Sequence, residues 1–146
     1  MQNQTHAKII DGKAIAQDIK VELKSQIQEL RKSKATLREP GLAVILVGDD
    51  PASSFYVNKK QESCSEVGIK SYKTIVPAST TREELIGTIE RYNADDKVDG
   101  ILLQLPLPKA IREHTQEIID HIQPNKDVDG LTSYNLGLLV VNDPHT

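Results

Sequence analysis

Apolar residues follow two different spacings along this chain, and the switches between them mark its elements. From position 12 to about 34, Ile15, Ile19, Leu23, Ile27 and Leu30 recur three or four residues apart, with Lys, Gln and Glu between them. That period predicts an amphipathic helix. Asp11 stands just before it, in position to cap it. Glu39-Pro40-Gly41 then interrupts the pattern. Leu42-Ala-Val-Ile-Leu-Val47 is a short unbroken apolar run that ends at Gly48-Asp49-Asp50-Pro51. Its length and β-branched content predict a strand covered on both faces, as in a parallel sheet. Asp50 and Pro51 suit the N-cap and first position of a second helix over about 52–66, with Gly68 as its stop.

The same alternation continues. Positions 69–76 read as a second strand whose partial alternation implies a more exposed place in the sheet. Thr81 and Glu84 form a capping-box pattern at the head of a helix over 82–93. Positions 98–105 read as a third strand, centred on Ile101-Leu102-Leu103 and closed by Pro106. A fourth helix is predicted over about 111–122, ahead of Pro124. A loop at Asp127-Val128-Asp129-Gly130 and a short helix over about 134–141 follow. Strands alternating with helices predict an α/β fold: a three-layer domain with a mostly parallel sheet flanked by helices. No repeat and no Gly- or Ser-rich linker divides residues 1–146, so a single domain is expected. Asn142-Asp-Pro-His-Thr146 reads as an unfinished loop.

Composition narrows the function classes. At 146 residues the chain is long enough for one domain with a core. A net charge of -3, with one Phe and four Tyr, gives neither the basic surface nor the aromatic platforms of a nucleic-acid partner. No apolar run approaches the roughly 20 residues that cross a bilayer, so no membrane partner is expected. Cys64 is the sole cysteine, which rules out an intrachain disulfide and suits a reducing compartment. The opening residues show neither the apolar core of a secretory leader nor an Arg-rich transit pattern. A cytoplasmic location is expected.

Three groups of residues carry candidate chemistry. Tyr56 and Lys60 are i and i+4 neighbours on the second helix, just beyond the end of a buried strand. Ligands of open parallel sheets bind at that edge. A lysine held partly out of water has its charged form disfavoured and can exchange protons near neutral pH, while an aromatic ring beside it can stack on a flat substrate. The alternative is a solvated lysine and a packing tyrosine. Gln104 is a polar residue at the end of the apolar third strand. Its amide needs a partner, which could be a lysine, a substrate or a loop backbone. Asp129 either serves its own turn or accepts two hydrogen bonds from an amidine-like ring edge.

Other chemistries find less support. No G-x-G-x-x-G or P-loop occurs, and Asp49 and Asp50 at the first strand's exit would repel a phosphate. The Tyr-x-x-x-Lys spacing is also that of short-chain dehydrogenases, which need such a glycine loop. The histidines at 6, 114, 121 and 145 form no H-x-x-x-H pair, and no metal is expected. Cys64, among Glu62, Ser65 and Glu66, reads as a quiet thiol.

Taken in order, the motifs resemble one family. Val47-Gly48-Asp49-Asp50-Pro51-Ala52-Ser53 with Tyr56-Val57-x-x-Lys60 is similar to the first signature of the methylenetetrahydrofolate dehydrogenase/cyclohydrolases. Asp99-Gly100-Ile101-Leu102-Leu103-Gln104-Leu105-Pro106-Leu107-Pro108 resembles the second, and Lys126-Asp127-Val128-Asp129-Gly130-Leu131-Thr132-Ser133 the third. The resemblance covers nearly the whole chain. It implies that Lys60 is the proton-transfer group of the cyclohydrolase step. It also implies that Tyr56 stacks on the aminobenzoate ring, that Gln104 hydrogen-bonds the lysine and that Asp129 holds the pterin. Ser53, Leu105 and Pro106 would line the folate cleft. The implied substrates are tetrahydrofolate derivatives, and the implied cofactor is NADP, or NAD in some members. In the family this cofactor is bound by a following Rossmann domain, and the full-length enzyme is a homodimer. The chain is therefore expected to be the catalytic half of a longer protein. A folate-binding module without catalysis and a short-chain-dehydrogenase-like fragment are the alternatives.

Overall fold

The structure is a computed structural model and describes residues 10–34 and 37–141. The closing loop read at 142–146 lies outside the described residues. Helix α1 spans Gly12–Ser33, strand β1 Gly41–Val47, helix α2 Pro51–Val67, strand β2 Lys70–Val76, helix α3 Arg82–Asn93 and strand β3 Gly100–Leu103. A 3-10 turn at Arg112–His114 leads into α4, Thr115–Ile119, and the short helix α5 is Ser133–Val140.

The three strands form one parallel sheet in the order β2-β1-β3. β1 is central, and its register runs from Gly41 opposite Lys70 to Val47 opposite Val76. On its other side Leu42 faces Gly100 and Ile45 faces Leu103. Side chains alternate across a strand, so the apolar run divides between two cores. Ala43, Ile45 and Val47, with Ile101 and Leu103, pack against Leu85 and Ile89 of α3 and the isoleucines of the 111–122 segment. Val44, Leu46 and Leu102 pack against Val57 of α2. These are the three layers expected from the sequence. β2, at the edge, is the most exposed strand.

Local chemistry sets the element ends. Asp11 accepts from the N–H groups of Lys13 and Ala14 at 3.1 and 3.0 Å. Asp50 accepts from Ser53 N–H at 2.8 Å, with Pro51 in the first turn. Gly68 closes α2 at φ +90°, a conformation that side chains resist. Thr81 and Glu84 complete the reciprocal capping box of α3. Gly87, inside α3, is the exception to this economy. A Cβ there would meet nothing within 4 Å. Gly87→Ala is therefore expected to raise stability by about 0.5–1 kcal/mol, read as a higher urea midpoint; an unchanged or lower midpoint would contradict this.

Two expectations need correction. The continuous helix over 111–122 is replaced by the 3-10 turn and the five-residue α4. Side chains bond the backbone locally: Arg112 Nε donates to Leu107 O at 2.9 Å and Thr115 Oγ1 to Arg112 O at 2.6 Å. His121 and Ile122 then donate three residues back rather than four, which winds the chain more tightly. The apolar period is kept, since Ile111, Ile118, Ile119 and Ile122 are all buried. The third strand is also shorter than 98–105. Gln104 nevertheless donates its N–H to Ile45 O at 2.8 Å, one step beyond the ladder.

The amphipathic period of α1 leaves no residue of that helix buried. Lys20 pairs with Glu66 of α2 at 2.8 Å, an exposed pair worth about 0–1 kcal/mol. No described helix is long and apolar enough to cross a membrane.

Candidate active site

From β1 the chain passes through α2 to β2 on one side, then through α3 to β3 on the other. The connections leaving the C-terminal ends of the paired strands β1 and β3 therefore part at a topological switch point, the place where open α/β sheets take their ligands. α2 begins beside that point, because β1 ends at Val47 and Asp50 caps the helix three residues later. This puts Lys60 in reach of the residues leaving β3, with Tyr56 one turn earlier on the same helix.

Lys60 is half-buried, and its Nζ donates to Gln104 Oε1 at 3.0 Å. Gln104 is the first residue beyond β3. Its Nε2 donates to Leu105 O at 2.8 Å. The amide is satisfied at both ends, so its oxygen is held towards the ammonium by its own backbone. Of the partners open to Gln104 in the sequence, the structure selects both a lysine and a loop carbonyl. Leu105 packs against the α3-side core, and the Leu105–Pro106 peptide is cis, with Pro106 exposed. Tyr56 is 60% exposed, leaving a ring face free for a flat ligand. It meets Phe55 edge to face, with centroids 5.9 Å apart. Ser53 is buried in the first turn of α2.

Asp129 reaches the same edge by another route. Ile101 and Asp127 form a single parallel bridge beside β3, so the following residues run in the direction of Gln104. Asp129 is exposed, and Leu103 and Leu131 line a small cavity with it. The structure thus brings Lys60 and Gln104 into contact and directs Asp129 to the same sheet edge. Lys126, Asp127 and Asn135 fasten the Asp129 loop. In the sequence Lys126 and Asp127 stand in the same signature as Asp129, but nothing in the pattern gave any of the three a role of its own.

The remaining candidates are quiet. Cys64 is buried, and burial pushes its thiol pKa up. Among the described residues no group of three or more His, Cys, Asp or Glu could hold a metal ion. The β1–α2 turn does not suit the phosphates of a dinucleotide. At the β1–α2 turn the helix N-terminus is already taken by Asp50, whose carboxyl the Ser53 hydrogen bonds hold below its usual range. Asp49 adds a second acidic side chain beside it, and both oppose a phosphate.

A doubly wound α/β domain with a lysine–amide pair at its switch point has the architecture in which open parallel sheets take ligands. More particularly, the chain belongs to the tetrahydrofolate dehydrogenase/cyclohydrolase family: the profile of that family's catalytic domain matches residues 10–129. The bifunctional protein FolD of Legionella pneumophila (strain Corby) is 51% identical over 138 residues, covering 94% of this chain and 47% of the relative. A 5,10-methylenetetrahydrofolate dehydrogenase from the silkworm, Bombyx mori, superposes with a TM-score of 0.87 at 42% identity over 94% of this chain and 46% of that one. The Trypanosoma brucei methylenetetrahydrofolate dehydrogenase-cyclohydrolase, solved with NADP cofactor and inhibitor, gives a TM-score of 0.87 at 32% identity, covering 94% of this chain and 45% of the other. The chain spans about half the length of the curated relatives it matches. The Tyr-x-x-x-Lys spacing therefore belongs to the folate family and not to a short-chain dehydrogenase.

Proposed function

We propose that this chain is the folate-binding, catalytic half of a bifunctional methylenetetrahydrofolate dehydrogenase/methenyltetrahydrofolate cyclohydrolase, and that it carries the groups of the hydrolytic step. The observation that supports this most is the Lys60 Nζ–Gln104 Oε1 hydrogen bond at the sheet's switch point. A methenyl carbon between two nitrogens is electrophilic and planar. Water attacks it, and Lys60 takes the proton that the water loses as the C–O bond forms. Lys60 then returns a proton to N5 as the C–N5 bond breaks. Loss of the hydroxyl proton leaves the formyl group on N10. The net reaction consumes one water and releases one proton. Gln104 accepts a hydrogen bond from the lysine throughout and keeps its nitrogen aimed at the carbon. Tyr56 supplies the stacking face, Asp129 the bidentate acceptor for the pterin's donor edge, and Ser53, Leu105 and Pro106 line the cleft.

The preceding oxidation delivers a hydride to NADP or NAD. No step of it is assigned to these residues, and we place the nucleotide on the half of the protein that follows this domain, within a cytoplasmic homodimer. The test of the folate reading is binding of 5-formyltetrahydrofolate, a stable relative of the product, to this chain by calorimetry. Saturable binding is expected, with Asp129→Ala weakening it by about tenfold or more, the scale of a lost charge-assisted pair. Equal affinity for both proteins would remove Asp129 from the site. Binding with no hydrolysis once the nucleotide half is supplied would favour a module that has lost catalysis.

A further inference from the structure

The loop that carries Asp129 is fastened at both ends by its own charged residues. Lys126 Nζ donates to Asn93 O at 2.8 Å, Asp95 O at 3.1 Å and Tyr92 O at 3.2 Å. These are carbonyls at the C-terminal end of α3, where a cation is favoured. The next residue does the converse. Asp127 Oδ2 accepts from Thr132 N–H at 2.8 Å and from Asn135 Nδ2 at 3.0 Å. Thr132 is the N-cap of α5 and Asn135 lies in its first turn, so a carboxylate sits where an anion is favoured. Between these anchors the backbone is held against β3. Ile101 N–H donates to Lys126 O at 2.7 Å, and a Cβ on Gly100 would come within 2.4 Å of Val128 Cγ1. Gly130 turns the chain at φ +65°. Asp129 alone of the three charged residues points its carboxylate at no described donor.

We infer that Asp127 is a positioning residue for the folate site: it ties the 127–132 loop into a closed ring through Thr132 and Asn135, and so fixes where Asp129 presents its carboxylate. The inference rests on the reading of Asp129 given above. Burial by itself pushes the Asp127 carboxyl up, but the hydrogen bonds from Thr132, Asn135 and Leu131 outweigh it and hold the group below its usual range. It is ionised at neutral pH and accepts only. Both donors meet the same oxygen, Oδ2, so an amide in its place could still accept from them, whereas alanine removes the acceptor, opens the ring and leaves the fold's cores untouched.

The test is a double-mutant cycle on 5-formyltetrahydrofolate binding to this chain, followed by NMR titration so that weak binding remains measurable. Asp127→Ala is expected to weaken binding about tenfold in the unaltered protein and less than about twofold in the Asp129→Ala background, because contacting or coupled residues fail to add. Amide shifts of residues 128–131 should move while those of β1 do not. Equal losses in both backgrounds, or no loss in either, would overturn the inference. Should Asp127→Ala not fold, Asn135→Ala removes one donor without touching the charge and is held to the same comparison. If the unaltered chain does not bind, or Asp129→Ala binds as well as the parent, the folate reading of Asp129 fails first and the inference with it. That outcome is distinct from a cycle that closes additively.

Discussion

Lys60→Met, in this domain fused to the remaining half of the Legionella FolD relative, is expected to lower methenyltetrahydrofolate hydrolysis by about 10³-fold, within the range that a positioned acid–base group supplies. Methionine keeps the length and the apolar stem and removes the only proton-carrying atom. Nζ is held by one side-chain amide and the residue is half-buried, so stability should change little. Folate affinity should stay within about threefold, since the ring face and Asp129 are untouched. The pattern matters as much as the size. A loss confined to kcat marks a group needed in the transition state; a loss confined to KM would mean that Lys60 only holds substrate. Hydrolysis at the parent rate would remove it from the mechanism.

Gly41→Ala is expected to cost at least about 3 kcal/mol of stability, at the upper end of overpacking. Gly41 starts the central strand and is buried. A Cβ there would lie 1.9 Å from Lys97 O, a backbone atom. That backbone cannot step aside, because the entrances of β1 and β3 are fastened together. Asp99 Oδ2 accepts from Gly41 N–H at 2.7 Å, and Arg38 grips the same carboxylate at 2.6 and 2.8 Å. The contrast with Gly87→Ala, in open space, separates crowding from any general effect of replacing glycine. Urea unfolding of the two variants checks it: midpoints moving in opposite directions are expected, and a Gly41→Ala midpoint at the parent value would show that the strand entrance is looser than the contacts imply.

Much of this was legible in the sequence because it is local. The apolar run of β1 requires cover on both faces whatever the rest of the chain does, and it has two cores. Asp50-Pro51, Thr81 with Glu84, and Gly68 act within one turn of themselves, so their roles follow from spacing. The candidate site residues were proposed from motif resemblance, with Tyr56 and Lys60 also joined by helical period; what the structure adds is the Lys60–Gln104 hydrogen bond. What escaped was long-range or competitive. Lys126 reaches carbonyls some thirty positions earlier, and no spacing rule announces that. Asp127 and Asp129 look alike in the sequence; one is absorbed by the start of α5 and the other left free, and only the course of the loop separates them. The 111–122 segment has a helical apolar period, but side chain-to-backbone bonds at Arg112 and Thr115 win locally and tighten it. The stripe of α1 is amphipathic in sequence, yet nothing among the described residues buries it.

The edge between β1 and β3 is the proposed folate site. The direct measurement is an amide NMR titration of this chain with 5-formyltetrahydrofolate. The expected result is saturable shifts at Tyr56, Lys60, Gln104, Leu105 and the 128–130 loop, with α1 and the entrances of the strands silent. Shifts confined to other surfaces, or none at millimolar ligand, would contradict it.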